Sequence, residues 1–193
     1  MGTSRVHEAV AGRNVEMELA RLRDRIADLE QRCAELDWLA HCDSLVPVAN
    51  RRGFLRQLDL GIARSERYGE PTAVLFVDLD GLKLLNDAFG HSAGDSALIH
   101  VAALLVRGVR QSDCVGRLGG DEFAVLLDHA GPVSAQETAA RLVQSIATEE
   151  FFLEGKPVAL SVAIGFTVIE AGDTPASVLA RADQAMYQRK VAA

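Results

Sequence analysis

The chain has 193 residues, enough for one domain with an appended segment or for one large domain. Apolar residues make up 49% and charged residues 24%, a balance that excludes a wholly disordered polymer. Twenty basic side chains against 27 acidic ones leave a net charge of −7, which excludes a broad nucleic-acid or anionic-membrane face but leaves room for a small phosphate-bearing ligand on a local cluster. The longest apolar runs, such as Ala73 to Val77 and Val101 to Val106, fall far short of a membrane span. The N-terminus has no apolar stretch of signal-peptide type, so a cytoplasmic protein without membrane insertion is expected. Cys33, Cys42 and Cys114 are odd in number and lack metal-ligand spacing, as free thiols in a reducing compartment would.

Residues 1–42 read as a separate helical segment. Apolar positions fall at Val15, Leu19, Leu22, Ile26, Leu29, Cys33, Leu36 and Ala40, alternating steps of 4 and 3. That is the seam of a coiled coil, with Leu19, Ile26, Cys33 and Ala40 at a and Val15, Leu22, Leu29 and Leu36 at d. In a parallel pair, Glu18 faces Arg23, Arg25 faces Glu30 and Arg32 faces Asp37, all opposite in sign. Such pairs select an in-register parallel homodimer more than they stabilise it.

Asp43 to Arg52 breaks the heptad, with Pro47 as punctuation, and residues 43–193 read as the main domain. Phe54 to Arg67 is helical by spacing. Thr72 to Asp78 is a continuous apolar run ending in acid, which reads as a buried strand. Leu82 to Phe89 and Ala93 to Val109 read as helices. Asp113 to Leu118 and Glu122 to Leu127 read as strands of a hairpin turning on Gly119, Gly120 and Asp121. Ser134 to Ala147 reads as a helix with Ser134 at the N-cap and Glu137 at the capping-box position. Pro157 to Ile169 reads as one strand and Pro175 to Lys190 as a final helix. This order predicts an α/β (α+β) fold, a central mixed sheet covered by helices.

Asp78 and Asp80 close the first buried strand, and Asp121 and Glu122 sit at the hairpin tip. If the two strands are neighbours, Asp78 and Asp121 converge, and two carboxylates that close need a cation between them. An all-oxygen donor set suits Mg²⁺ or Mn²⁺ better than zinc. Any one of these acids alone is better read as a solvated turn former. Gly119 and Gly120 serve the turn and also bare the backbone to approaching phosphates. Lys83, near a helix start, can reach phosphate oxygens. Asn86, His91 and Asp95 form a polar cluster around Gly90 and Gly94, and an amide with a carboxylate can read the edge of guanine.

Arg-Leu-Gly-Gly-Asp-Glu-Phe at 117–123 resembles the signature of the GGDEF diguanylate cyclase family. Further segments resemble it in order: Asp43-Ser-Leu with Asn50-Arg51-Arg52-Gly53-Phe54; Asp78-Leu79-Asp80 with Lys83, Asn86 and Asp87; Gly90-His91-Ser-Ala-Gly94-Asp95; and Ala182-Asp183-Gln-Ala-Met-Tyr187-Gln-Arg-Lys190. The likeness implies a nucleotidyl-cyclase-like fold with the signature on its β-hairpin. It implies Asp78, Asp121 and the Leu79 carbonyl as metal ligands, Asp121 also as proton acceptor, and Glu122 supporting the acidic tip. Asn86 and Asp95 would bind guanine with His91 nearby, and Lys83 and Lys190 would hold phosphates. Arg110-Gln-Ser-Asp113 resembles the family's RxxD product-inhibition site, which Arg141 would join.

The implied activity is condensation of two GTP molecules into cyclic di-GMP with release of pyrophosphate, by a product-inhibited homodimer using Mg²⁺ or Mn²⁺. The alternative from another class is a non-catalytic module that binds GTP or cyclic di-GMP and signals through the coiled coil; a third is a dimerisation adaptor. Three departures stand out. Val46-Pro47-Val48 replaces the usual Thr-Gly-Leu, at an expected hinge, and Leu82 stands where phenylalanine is common. The chain stops at Ala193 without a Gly-Arg-Asn ending, so Lys190 is expected to act without a second phosphate-binding cation after it.

Overall fold

The structure, a computed structural model, describes the backbone of residues 2–192 and the side chains of 17–19 and 21–191. The chain divides into two compact units, Met1–Ala40 and His41–Ala193. The first is carried by a helix, α1 (Gly2–His41). Leu19, Leu22, Ile26, Leu29 and Leu36 are 46–65% exposed along it, so this apolar stripe is uncovered in the single chain. Val15, the first seam position, lies outside the described side chains. Arg25 and Arg32 both bridge Asp28 within the helix, at 3.4 and 3.3 Å.

The second unit is built on a five-stranded sheet. Its strands are β1 (Ala49–Asn50), β2 (Ala73–Leu79), β3 (Cys114–Gly119), β4 (Glu122–Leu127) and β7 (Val162–Val168), in spatial order β1-β3-β4-β2-β7. β1 runs parallel to β3 and every other pairing is antiparallel. β2 is hydrogen-bonded on both edges and covered on both faces, which is why its sequence reads as an unbroken apolar run. Val74 and Phe76 pack on α2 (Arg51–Tyr68) and α6 (Pro175–Ala192) through Phe54, Leu58, Val178 and Leu179. Ala73, Leu75 and Val77 face the other way, toward α4 (His91–Arg107) and α5 (Pro132–Thr148), with Leu98, Val101, Leu105 and Leu142. Between β2 and α4 lies α3 (Leu82–Phe89), which packs on α4.

Several local readings are corrected. α2 starts earlier than its apolar spacing indicated, because the Asn50 side chain caps it by accepting from the Gly53 N–H at 2.9 Å. α5 starts at Pro132 with Gly131 at its N-cap, so Ser134 is not the cap; its hydroxyl donates to the Gly131 carbonyl at 3.1 Å. A proline at the first helical position lacks only an N–H that has no partner there anyway, which fixes the earlier start. The single strand expected over 157–169 is two strands. β6 (Lys156–Val158) pairs back on β5 (Phe151–Leu153) through Glu154 and Gly155, both at positive φ, and β7 follows separately. That Glu-Gly turn outweighs the apolar run. Val46 and Val48, in the segment expected as a hinge, are buried in the core of this unit, and Asp43 accepts from the Leu45 and Val46 N–H groups.

Candidate functional site

The acidic rim is set by strand register. In the β2–β4 ladder Asp78 stands directly opposite Glu122, and one residue on the Leu79 N–H donates to the Asp121 carbonyl at 3.1 Å. The signature turn is therefore tied to the end of β2, and Asp78, Asp121 and Glu122 share one corner of the sheet. Gly119 and Gly120, at φ 152° and 52°, supply the turn's backbone, which side chains other than glycine's rarely adopt. Arg117 holds the turn from below: its guanidinium donates twice to the Gly120 carbonyl, at 3.1 and 2.7 Å, and pairs with Asp43 at 3.3 Å.

Asp80 is fixed as well. Its N–H donates to the Ser161 carbonyl and its carboxylate accepts from the Ser161 hydroxyl, both at 2.9 Å. Lys190, expected at the phosphates, is bonded to the Asp78 carboxylate and lies 3.4 Å from Asp80. Burial pushes the Glu122 carboxyl above its ordinary range. The neighbouring charges of Asp121, Asp183 and Asp78 add to that, and Arg51 opposes it.

This corner fits a hard divalent cation. Its donors are carboxylate and carbonyl oxygens, and it concentrates negative charge that a cation would relieve. Among the described residues no three carboxylate, imidazole or thiol groups converge on one point, so a cation here would need backbone or ligand oxygens besides the carboxylates.

The polar cluster lies across the α3–α4 corner. The Asn86 side-chain oxygen is buried without a hydrogen-bond partner, and a Cβ on Gly94 would lie 2.0 Å from it. Gly94 thus makes the space that Asn86 fills. Lys83 on α3, and His91 and Asp95 in the first turn and a half of α4, are exposed on the same helix pair. Arg110, Asp113 and Arg141 line a separate cleft of about 80 Å³ with Asp128 and Thr138. There Asp113 accepts from the Arg110 and Asp128 N–H groups, at 2.8 and 3.1 Å, and Arg141 donates to the Gly108 carbonyl at 2.6 Å. Sequence reasoning missed the roles of Arg117, Ser161 and Asp183. Arg117 stood next to the glycine pair and Asp43 in the first matching segment, but their pairing spans 74 positions.

Residues 40–193 match the family model described as diguanylate cyclase, GGDEF domain. The diguanylate cyclase TpbB of Pseudomonas aeruginosa is 40% identical over 166 residues, covering 85% of this chain and 38% of that protein. The diguanylate cyclase DgcP of the same species is 35% identical over 148 residues, covering 77% of this chain and 22% of that protein. The chain thus spans well under half the length of these curated relatives. A structure comprising only the GGDEF domain of TpbB superposes with a TM-score of 0.75 at 40% identity, covering 79% of this chain and 90% of that one. The coiled coil and GGDEF domain of DgcB from Caulobacter crescentus, in complex with c-di-GMP, superposes with a TM-score of 0.80 at 28% identity, covering 90% and 94%.

Because the raised Glu122 carboxyl favours its protonated form in the folded protein, its ionisation costs stability near neutral pH. That cost vanishes as the pH falls below the ordinary carboxylate range. Glu122→Gln is expected to raise the thermal midpoint of metal-free protein near neutral pH, with the gain shrinking on acidification. Thermal denaturation across that pH range checks this; no gain at neutrality, or a gain that grows toward acid, contradicts it.

Proposed function

The chain belongs to the GGDEF-domain diguanylate cyclase family, and from that premise we propose that it condenses two GTP molecules into cyclic di-GMP. The observation that carries this reading is the register that sets Asp78 opposite Glu122 and ties Leu79 to the Asp121 carbonyl. It supports a triphosphate bound at an acidic rim through a divalent ion. The Asp78 and Asp121 carboxylates and the Leu79 carbonyl would hold Mg²⁺ or Mn²⁺, which when bound neutralises the triphosphate and makes the 3′-hydroxyl easier to ionise. The bare Gly119–Gly120 backbone and Lys83 face the phosphates, with Glu122 keeping the corner acidic.

Asn86 and Asp95 read the guanine edge, with His91 beside them. Gly94 leaves the room in which the Asn86 side chain sits beside Asp95 at the start of α4. The 3′-oxygen of one nucleotide attacks the α-phosphorus of the other in line. The new O–P bond forms as the bond to pyrophosphate breaks, and the hydroxyl proton passes to Asp121.

Each GTP is both nucleophile and target, so one domain offers half a reaction centre and two must meet about a two-fold axis. The exposed stripe on α1 supports a parallel homodimer, which would raise the effective concentration of the second domain. The cleft of Arg110, Asp113 and Arg141 supports a second site for the product, which inhibits by holding the halves apart.

Purified protein with GTP and Mg²⁺ is expected to yield cyclic di-GMP and pyrophosphate. Asp78→Asn and Asp121→Asn are each expected to lower turnover by at least about 100-fold with the fold retained. Turnover close to wild type in either variant contradicts the metal assignment. Arg110→Ala is expected to raise the cyclic di-GMP concentration for half-inhibition by about tenfold or more, an effect in the range of a lost charge-assisted contact. An unchanged inhibition curve removes the product site from the account.

A further inference from the structure

Lys190 takes the position that a cation at the acidic rim would compete for. Its ammonium is bonded to the Asp78 carboxylate and lies 3.4 Å from that of Asp80. The lysine is delivered there by a fixed support. Along α6, Ala182 and Met186 are buried against Gly165 of β7, where a Cβ would lie 2.0 Å from the Met186 nitrogen. Arg189, next to the lysine, donates to the Ile164 carbonyl at 2.9 Å and lies over the Phe166 ring at 5.2 Å. The two receiving carboxylates are fixed as well, Asp78 by the β2 ladders and Asp80 by Ser161.

The geometry points to Lys190 as an internal counter-ion, an autoinhibitory latch that neutralises the acidic rim and must leave Asp78 before a divalent cation can bind there. This rests on the reading of Asp78 as a metal ligand. An ammonium and a divalent ion cannot both sit on one carboxylate without strong repulsion, so bare metal must displace the lysine. The displaced ammonium remains tethered at the same rim, where phosphates arriving with the metal can recapture it. Lys190 therefore opposes the metal alone and favours the metal together with a nucleotide, so bare divalent ions would load the site poorly.

Calorimetric titration of the full chain with Mn²⁺ alone, and with Mn²⁺ plus a non-hydrolysable GTP analogue, tests this by sign. Lys190→Gln is expected to bind Mn²⁺ alone at least about threefold more tightly than wild type, through loss of the competing charge, and the Mn²⁺–analogue complex several-fold more weakly. Lys190→Arg, which keeps the charge, is expected to stay near wild type in both titrations. A merely structural lysine would not produce opposite signs. Binding of Mn²⁺ alone by Lys190→Gln that is equal to wild type, weaker or absent overturns the latch, and tighter binding of the complex as well overturns the recapture. Formation of cyclic di-GMP by the wild-type protein is scored separately, so the latch can fail while the enzymatic reading stands.

Discussion

The backbone register between β2 and β4 forces like charges together. Once Val77 faces Phe123 and Val74 faces Leu126 in the ladder, Asp78 has no choice but to face Glu122, and the turn beyond must bring Asp121 to the same corner. Carboxylates placed that close cost free energy unless a cation intervenes. The fold supplies the cost through its most rigid part, a strand paired on both edges and covered on both faces. What remains variable is the identity of the cation. Here it is the Lys190 ammonium; on the proposed reading it is a divalent ion during turnover.

The surroundings keep that corner from relaxing. Two glycines at positive φ admit a turn too tight for most residues, and Arg117 clamps its carbonyl while leaning on Asp43. Arg117 is only slightly exposed, so its charge is matched by Asp43 and not left to oppose the acids above it. The same economy recurs across the α3–α4 corner, where a missing side chain at Gly94 makes room for Asn86 and leaves its buried oxygen without a protein partner. In one place glycine supplies an unusual backbone and in the other only room, and each fixes a particular arrangement of polar atoms.

Much of this was legible in the sequence because the signals were local. Leu82–Phe89 and Glu122–Leu127 have the limits their residues indicate, since Gly81 and Gly90 bound the first, and an apolar run between the signature turn and Asp128 marks the second. The strand order that joins Asp78 to the signature turn was not local, and only the likeness of the whole motif set made it expected. The β5–β6 hairpin was hidden because Pro157 to Ile169 carries apolar residues throughout and the turning residues, Glu154 and Gly155, precede the run. The Lys190 contact with Asp78 spans 112 positions, and no spacing rule reaches that far. The α1 stripe shows the reverse case: its repeat is plain in sequence, and the single chain leaves it exposed.

The central claim is that Asp78 and Asp121 together hold a divalent ion. The most direct measurement is diffraction at the manganese absorption edge from crystals grown with Mn²⁺ and a non-hydrolysable GTP analogue. The account predicts an anomalous peak within about 2.5 Å of both the Asp78 and Asp121 carboxylates, with Lys190 withdrawn from Asp78. A bound nucleotide with no peak at that corner, or with the metal held elsewhere, would contradict it.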